Sequence, residues 1–244
     1  MTFGIKITND DGYMTFTDTH DYLTLQEKLT STRATYDFGN RFHWTTTYNG
    51  SAFPLVFIES NGYWASVIDT FRNANGTWQI HVWCNYNQAT NTLNNITGYC
   101  FVQSSQYSAS DPAYGIRIND ASGNRVYNSD FELPRVKGFS SLPAITASTP
   151  SCGNSSTSVY LQTSVTHGVS GLTKPAATLY SSGSAFLNCS GGFRYWKSGY
   201  KITSTQVLGG WMYAGQASGF TVSPSPYNSA PPVIPLGIID GNDY

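Results

Sequence analysis

The chain has 244 residues, with 13 Lys and Arg against 14 Asp and Glu, a net charge of −1 and an aromatic content of 15%. So balanced a charge argues against binding phosphate backbones through counterion release, and so many aromatics argue against a disordered chain. Ala, Leu, Glu and Lys are too scarce to fill long helices, and no run of about eighteen apolar residues offers a membrane-spanning helix.

The first predicted element is a hairpin. Phe3, Ile5 and Ile7 alternate with Gly4 and Lys6, and Asn9-Asp10-Asp11-Gly12 supplies a turn before Tyr13 to Phe16. Period two places the aromatic and both isoleucines on one face of a strand. A three-residue loop with Gly12 in the left-handed region is the expected connection. The same pattern recurs 111 residues later: Tyr114, Ile116 and Ile118 alternate with Gly115 and Arg117, and Asp120-Ala121-Ser122-Gly123 makes the turn. A repeat of this kind predicts two units of similar size. The expected division is a first β unit at 1–103, a linker at 104–113, a second β unit at 114–222 and a Pro-rich arm at 223–244.

Between the hairpins, Tyr22 to Arg33 has some helical character, but its Thr content suits a strand or loop equally. Phe38, Phe42, Trp44, Thr46 and Tyr48 share one parity and predict a strand with an aromatic face. Leu55-Val56-Phe57-Ile58 is a short apolar run that fits a strand buried on both sides. Asn61-Gly62 and Asn75-Gly76 mark turns on either side of a strand over Tyr63 to Phe71. Thr77 to Tyr86 is the cleanest alternation, with Trp78, Ile80, Val82, Cys84 and Tyr86 on one face and Gln79, His81, Trp83 and Asn85 on the other. A polar loop over 87–97 and a strand at Tyr99 to Val102 close the first unit.

In the second half, Pro134 and Pro143 predict an irregular connection over 134–150. Strands are expected at 158–166, 177–180, 185–189, 193–203, 211–213 and 220–222. The Pro-dense tail then favours extended polyproline geometry. Its residues Pro231, Pro232, Ile234, Leu236 and Ile238 read as an assembly arm, with the surface on which it docks left open by the sequence. The fold class expected is all-β: two β-sandwich or jelly-roll-like units, each opening with a similar β-hairpin, plus the extended C-terminal arm.

The residues that could carry chemistry are few. There are three glutamates, Glu27, Glu59 and Glu132, and most aspartates stand in turns. Asp69 lies in a strand without an evident partner, so a paired-carboxylate glycosidase finds little support. His20, His43, His81 and His167 are scattered, and no G-x-S-x-G elbow or H-x-x-x-H pair occurs. His43 and His81 read as ordinary strand residues. Asn9-Asp10-Asp11-Gly12 resembles the start of a calcium loop but lacks its closing Glu. No catalytic residue, cofactor or metal is therefore expected. Cys84, Cys100, Cys152 and Cys189 are spaced too widely for a metal or redox motif. Cys84–Cys100 and Cys152–Cys189 disulfides are conceivable, but without a visible export signal free buried thiols fit better. Sugars stack on exposed aromatic rings, so Trp83, Trp196, Trp211 and Tyr213 are the candidate glycan-stacking residues. Burial in a core or subunit interface is the competing expectation for each.

The repeated signature is aromatic-Gly-Ile-basic-Ile, then Asn/Asp-x-x-Gly, then an aromatic and an Asp-aromatic pair. It resembles the opening of tail-tip and tail-fibre-associated structural proteins of tailed bacteriophages. Tyr114 to Asp130 is the closer copy, and the first keeps the pattern with Phe3 in place of Tyr. The likeness covers about fifteen to twenty residues of each copy. It implies a non-enzymatic virion component, assembled in the host cytoplasm, contributing to host attachment. Its implied partners are other tail proteins, further copies of itself and a host surface glycan or receptor. The presence of two copies in one chain departs from the family's pattern. The alternative reading is a carbohydrate- or receptor-binding β-sandwich module acting on its own.

Overall fold

The computed structural model describes residues 4–9, 12–17, 22–38, 40–84, 86–87, 92–93, 95–107, 115–123, 125–143, 159–180, 184–189, 192–217 and 235–244. Among these residues the chain is all-β, with three single 3-10 turns as its only helical segments. The first half contributes β1 (Gly4–Asn9), β2 (Gly12–Thr17), β3 (Leu23–Leu29), β4 (Thr35–Phe38) and β5 (Arg41–Thr45). It continues with β6 (Leu55–Glu59), β7 (Ala65–Arg72), β8 (Trp78–Cys84), β9 (Tyr86–Asn87), β10 (Thr92–Leu93) and β11 (Thr97–Gln103). The second half contributes β12 (Arg117–Asn119), β13 (Arg125–Asn128), β14 (Val136–Ser141), β15 (Val159–Thr166) and β16 (Pro175–Ala177). It ends with β17 (Ser184–Cys189), β18 (Gly192–Ile202), β19 (Gln206–Ala217) and β20 (Pro235–Asp240).

Two large sheets hold most of these strands. One has the order β14-β20-β16-β6-β11-β3. The other runs β15-β19-β18-β7-β8-β5-β4, with β17 paired to β18. Their inner faces feed one core. Val56, Ile58, Cys100, Val102, Leu236 and Ile238 come from the first sheet, and Phe42, Trp44, Ile80, Val82, Trp196 and Tyr200 from the second. Alternation along each strand makes this possible, since every second side chain points to the same face.

The expected boundary at 104–113 does not separate these sheets. Ala176 and Ala177 of β16 pair with Glu59 and Ile58 of β6. Tyr200 of β18 pairs with Ala65 of β7, and Tyr180 bridges Val67. Strands from both halves therefore share backbone hydrogen bonding in each of the two large sheets.

The repeated hairpins stand apart from both sheets as two-stranded sheets of their own. In the first, Asn9 pairs with Gly12, so Gly12 opens the return strand instead of sitting in a three-residue loop. The turn residues Asp10 and Asp11 lie outside the described residues. The second copy has the expected chemistry. Gly123 has φ +84° and donates its N–H to Asp120 O, while the Asp120 carboxylate accepts from Ser122 N. The Asn61-Gly62 turn also forms, with both residues at positive φ.

Of the alternatives left open for Tyr22 to Arg33, the strand is the one that forms, as β3, followed by a turn at Ser31–Arg33. Other expectations are corrected. The irregular stretch after Pro134 contains β14, because Val136 to Ser141 finds a partner in β20. In the polar loop, Thr92–Leu93 pairs back onto Asn87 and onto Tyr86 at the end of the strand expected before it. The strand expected at 220–222 lies outside the described residues.

Cys84 and Cys100 are free, fully buried thiols in the core, so the Cys84–Cys100 pairing does not form. Cys152 lies outside the described residues. Burial pushes both the Cys84 and Cys100 thiols well up from their ordinary value, which suppresses the reactive thiolate. In peptide maps of native protein treated with iodoacetamide at pH 8, Cys84 and Cys100 are expected to stay unmodified. Both should be alkylated in urea. Rapid native labelling of either would contradict their placement in the core.

Candidate functional site

The outer face of the eight-stranded sheet carries a polar cluster built on β4, β5 and β8. Alternation sends Phe42 and Trp44 of β5 into the core and Arg41 and His43 outward. On β8 the same rule buries Ile80 and Val82 and turns Gln79, His81 and Trp83 to the other face. Register sets His43 directly beside His81 and Arg41 beside Trp83. β4 then supplies a carboxylate through an irregularity. Tyr36 pairs with Phe42 and Phe38 with Arg41, leaving Asp37 as an extra residue at a bulge. Bulges re-aim side chains in this way, and Asp37 turns onto both histidines.

The contacts are short. His43 Nδ1 is 2.6 Å from Asp37 Oδ1, so its Nδ1–H donates to the carboxylate. His81 Nδ1 lies 3.2 Å from Asp37 Oδ2. The Arg41 guanidinium closes the group, with Nε 2.9 Å and Nη2 2.7 Å from His81 Nδ1 and Nε 3.3 Å from Asp37 Oδ2. An arginine can only donate, so His81 Nδ1 is the acceptor and its ring proton sits on Nε2, 3.3 Å from Gln79 Oε1. The Phe71 ring stacks on His81 at 4.9 Å between centroids. Burial and the neighbouring guanidinium hold the His81 pKa below its ordinary value, although Asp37 pulls the other way. His81 is buried, whereas Asp37, Arg41 and His43 are half-buried and reachable from solvent. One carboxylate and two imidazole nitrogens thus converge, with their ligand atoms all within 4.8 Å of one another.

This cluster was not legible in the sequence. His43 and His81 read as isolated strand residues because their proximity comes from strand register, and Asp37 joins them through a bulge. Asp69, read as partnerless, is exposed and sits across from His81 in the β7–β8 ladder.

The glycan-stacking candidates occupy other positions. Trp83 does face away from the core, as alternation predicts, yet it is 3% exposed. It packs with Met212, Trp64, Ile68 and Tyr195 in a satellite cluster on that face. Trp196 and Trp211 belong to the main core, at 0% and 8% exposure. Stacking a sugar needs a free ring face, and these three tryptophans do not offer one. Tyr213 is half-buried and packs edge-on against Trp196. Of the arm residues, Leu236 and Ile238 are fully buried in the chain's own core, on a strand held between β14 and β16. These two residues dock within this chain's own sheet. Pro231, Pro232 and Ile234 lie outside the described residues. Comparison with protein-family models, curated proteins and solved structures finds no match to this chain.

Proposed function

We propose that this chain is a non-enzymatic structural protein of a tailed-phage virion, placed at the distal tail or fibre and contributing to host attachment. The observation that carries this reading is the repeated hairpin. Its sequence resembles tail-tip and fibre-associated proteins, and each copy forms its own two-stranded sheet outside the two main sheets. A two-stranded hairpin alone is marginal in water, so keeping two like copies outside the main sheets favours a role in contacts with neighbouring subunits. On the second copy Ile116 is 47% exposed, and Phe139 on the edge strand β14 is 75% exposed. Exposed apolar groups of this kind suit a protein that is buried in an assembly. The proposed partners are other tail proteins and further copies of this chain, with a host surface glycan or receptor contacted by the assembly. The free-standing glycan-binding module loses support, because its tryptophan candidates are buried.

Immunogold electron microscopy of purified particles, with antibody raised against this chain, tests the reading. Label at the distal tail is the expected result. Label on the head would remove the attachment role, and particles that never label would remove the virion role itself.

A further inference from the structure

We propose that Asp37, His43 and His81 form a binding site for a divalent transition-metal ion of the zinc, cobalt or nickel class, with Arg41 as the internal cation that the ion displaces. The inference rests on the cluster's geometry and is independent of the virion reading.

Three features point to a ligand set. First, the donor atoms converge. With metal–ligand bonds of about 2.1 Å, two atoms bound to one ion stand about 3–3.5 Å apart. His81 Nδ1 and Asp37 Oδ2 are 3.2 Å apart, already at that spacing. His43 Nδ1 and Asp37 Oδ1 are 2.6 Å apart and need to separate by less than about 1 Å. Second, the lone pair of His81 Nδ1 points into the cluster, because that nitrogen accepts from Arg41. A buried imidazole whose acceptor nitrogen meets a cation is arranged as a ligand would be. Third, outer contacts already fix the ring. Gln79 Oε1 faces His81 Nε2, and Phe71 stacks on its plane. Metal-binding histidines are held by such contacts through the nitrogen that does not bind the ion.

The donor types select the metal. Two imidazoles and one carboxylate suit zinc, cobalt and nickel, whereas calcium and magnesium require mostly oxygen ligands. On binding, the ion takes the place of the guanidinium between Asp37 Oδ2 and His81 Nδ1. Arg41 is half-buried and can swing toward solvent. His43 moves its proton from Nδ1 to Nε2, so the neutral ring keeps its charge while freeing Nδ1. The three ligands come from three adjacent strands, so the ion would clamp β4, the edge of its sheet, onto β5 and β8.

Titration calorimetry of the full chain, stripped with chelator and titrated with zinc chloride, tests the site. A parallel cobalt titration read by visible absorption reports the coordination. One saturable ion per chain is expected. Asp37→Asn and His43→Gln should each weaken binding at least about tenfold, and Arg41→Gln should tighten it by removing the competing cation. Circular dichroism establishes that each variant is folded. Should Asp37→Asn fail to fold, His43→Gln and Arg41→Gln, which remove half-buried side chains, carry the test. No saturable zinc binding by the wild-type chain overturns the proposal. So does wild-type affinity in His43→Gln, which would place the ion elsewhere. Unchanged or weakened binding in Arg41→Gln overturns the displacement by the ion.

Discussion

Replacing Trp196 by Ala is expected to lower the unfolding free energy by about 3–5 kcal/mol. The indole is fully buried between the two sheets, on β18, with Tyr213 packed edge-on at 5.2 Å. It belongs to the core cluster that both sheets feed, so truncation removes a large fully buried side chain and leaves a cavity there. Against a typical total stability of about 5–15 kcal/mol, such a loss approaches global unfolding. The measurement is equilibrium urea denaturation at low temperature, with Trp196→Phe as a milder companion that keeps most of the ring. A glycan-stacking role predicts a different outcome: a variant as stable as the parent that loses only sugar binding. A loss under about 1 kcal/mol would contradict the core placement. Exposed aromatics and buried ones are written with the same letters, so this experiment decides which kind Trp196 is.

The same ambiguity explains what the sequence conveyed and what it withheld. Strand alternation was readable wherever one face met the core. Phe42 and Trp44 of β5 are buried, as their shared parity predicted, and so are Thr46 and Tyr48 beyond its end, but the single strand expected to include Phe38 is split in two, with Phe38 on β4 paired antiparallel to β5. The two faces of Thr77 to Tyr86 also sort as expected through Cys84, with Ile80 and Val82 in the core and Trp83 opposite. Alternation cannot say whether the second face is covered, and here a satellite cluster covers Trp83. Nor can it reveal long-range pairing. The repeated hairpin suggested two separate units, but the contacts of β6 with β16 and β7 with β18 depend on register between segments far apart in the chain. The polar cluster fails to show for the same reason, since a bulge at Asp37 and the β5–β8 ladder assemble it. The tail shows a different limit. Proline density argued for an extended arm, whereas Leu236-Gly237-Ile238-Ile239 carries the apolar pattern of a buried strand and becomes β20.

The end of that last strand is tied down by one carboxylate, and removing its charge is expected to cost about 2–3 kcal/mol at pH 7. Asp240 closes β20 and is buried. Its carboxylate accepts from Thr173 N at 2.7 Å, Lys174 N at 2.8 Å and Asn242 N at 3.0 Å, with the Thr173 hydroxyl close by. It thus ties the loop before β16 to the terminal turn at Gly241–Asp243. Burial alone would raise the Asp240 pKa, but these donors outweigh it and hold the pKa below its ordinary value. A carboxyl depressed in the folded state stabilises the fold fully above its unfolded pKa of about 3.9. That contribution disappears as pH falls through the lower folded value. Asp240→Asn replaces one acceptor oxygen with an N–H donor that faces other donors, so the variant loses both charge and bonds. Urea unfolding of the two proteins should therefore show a gap that is constant from pH 7 to about pH 5 and narrows below about pH 4. A gap that stays the same down to pH 2 would mean that shape, and not the ionised carboxylate, carries the interaction. Because the donors belong to backbone on both sides of the β16–β20 pair, a narrowing gap would also identify the acid-sensitive joint by which the C-terminal strand is held in the sheet.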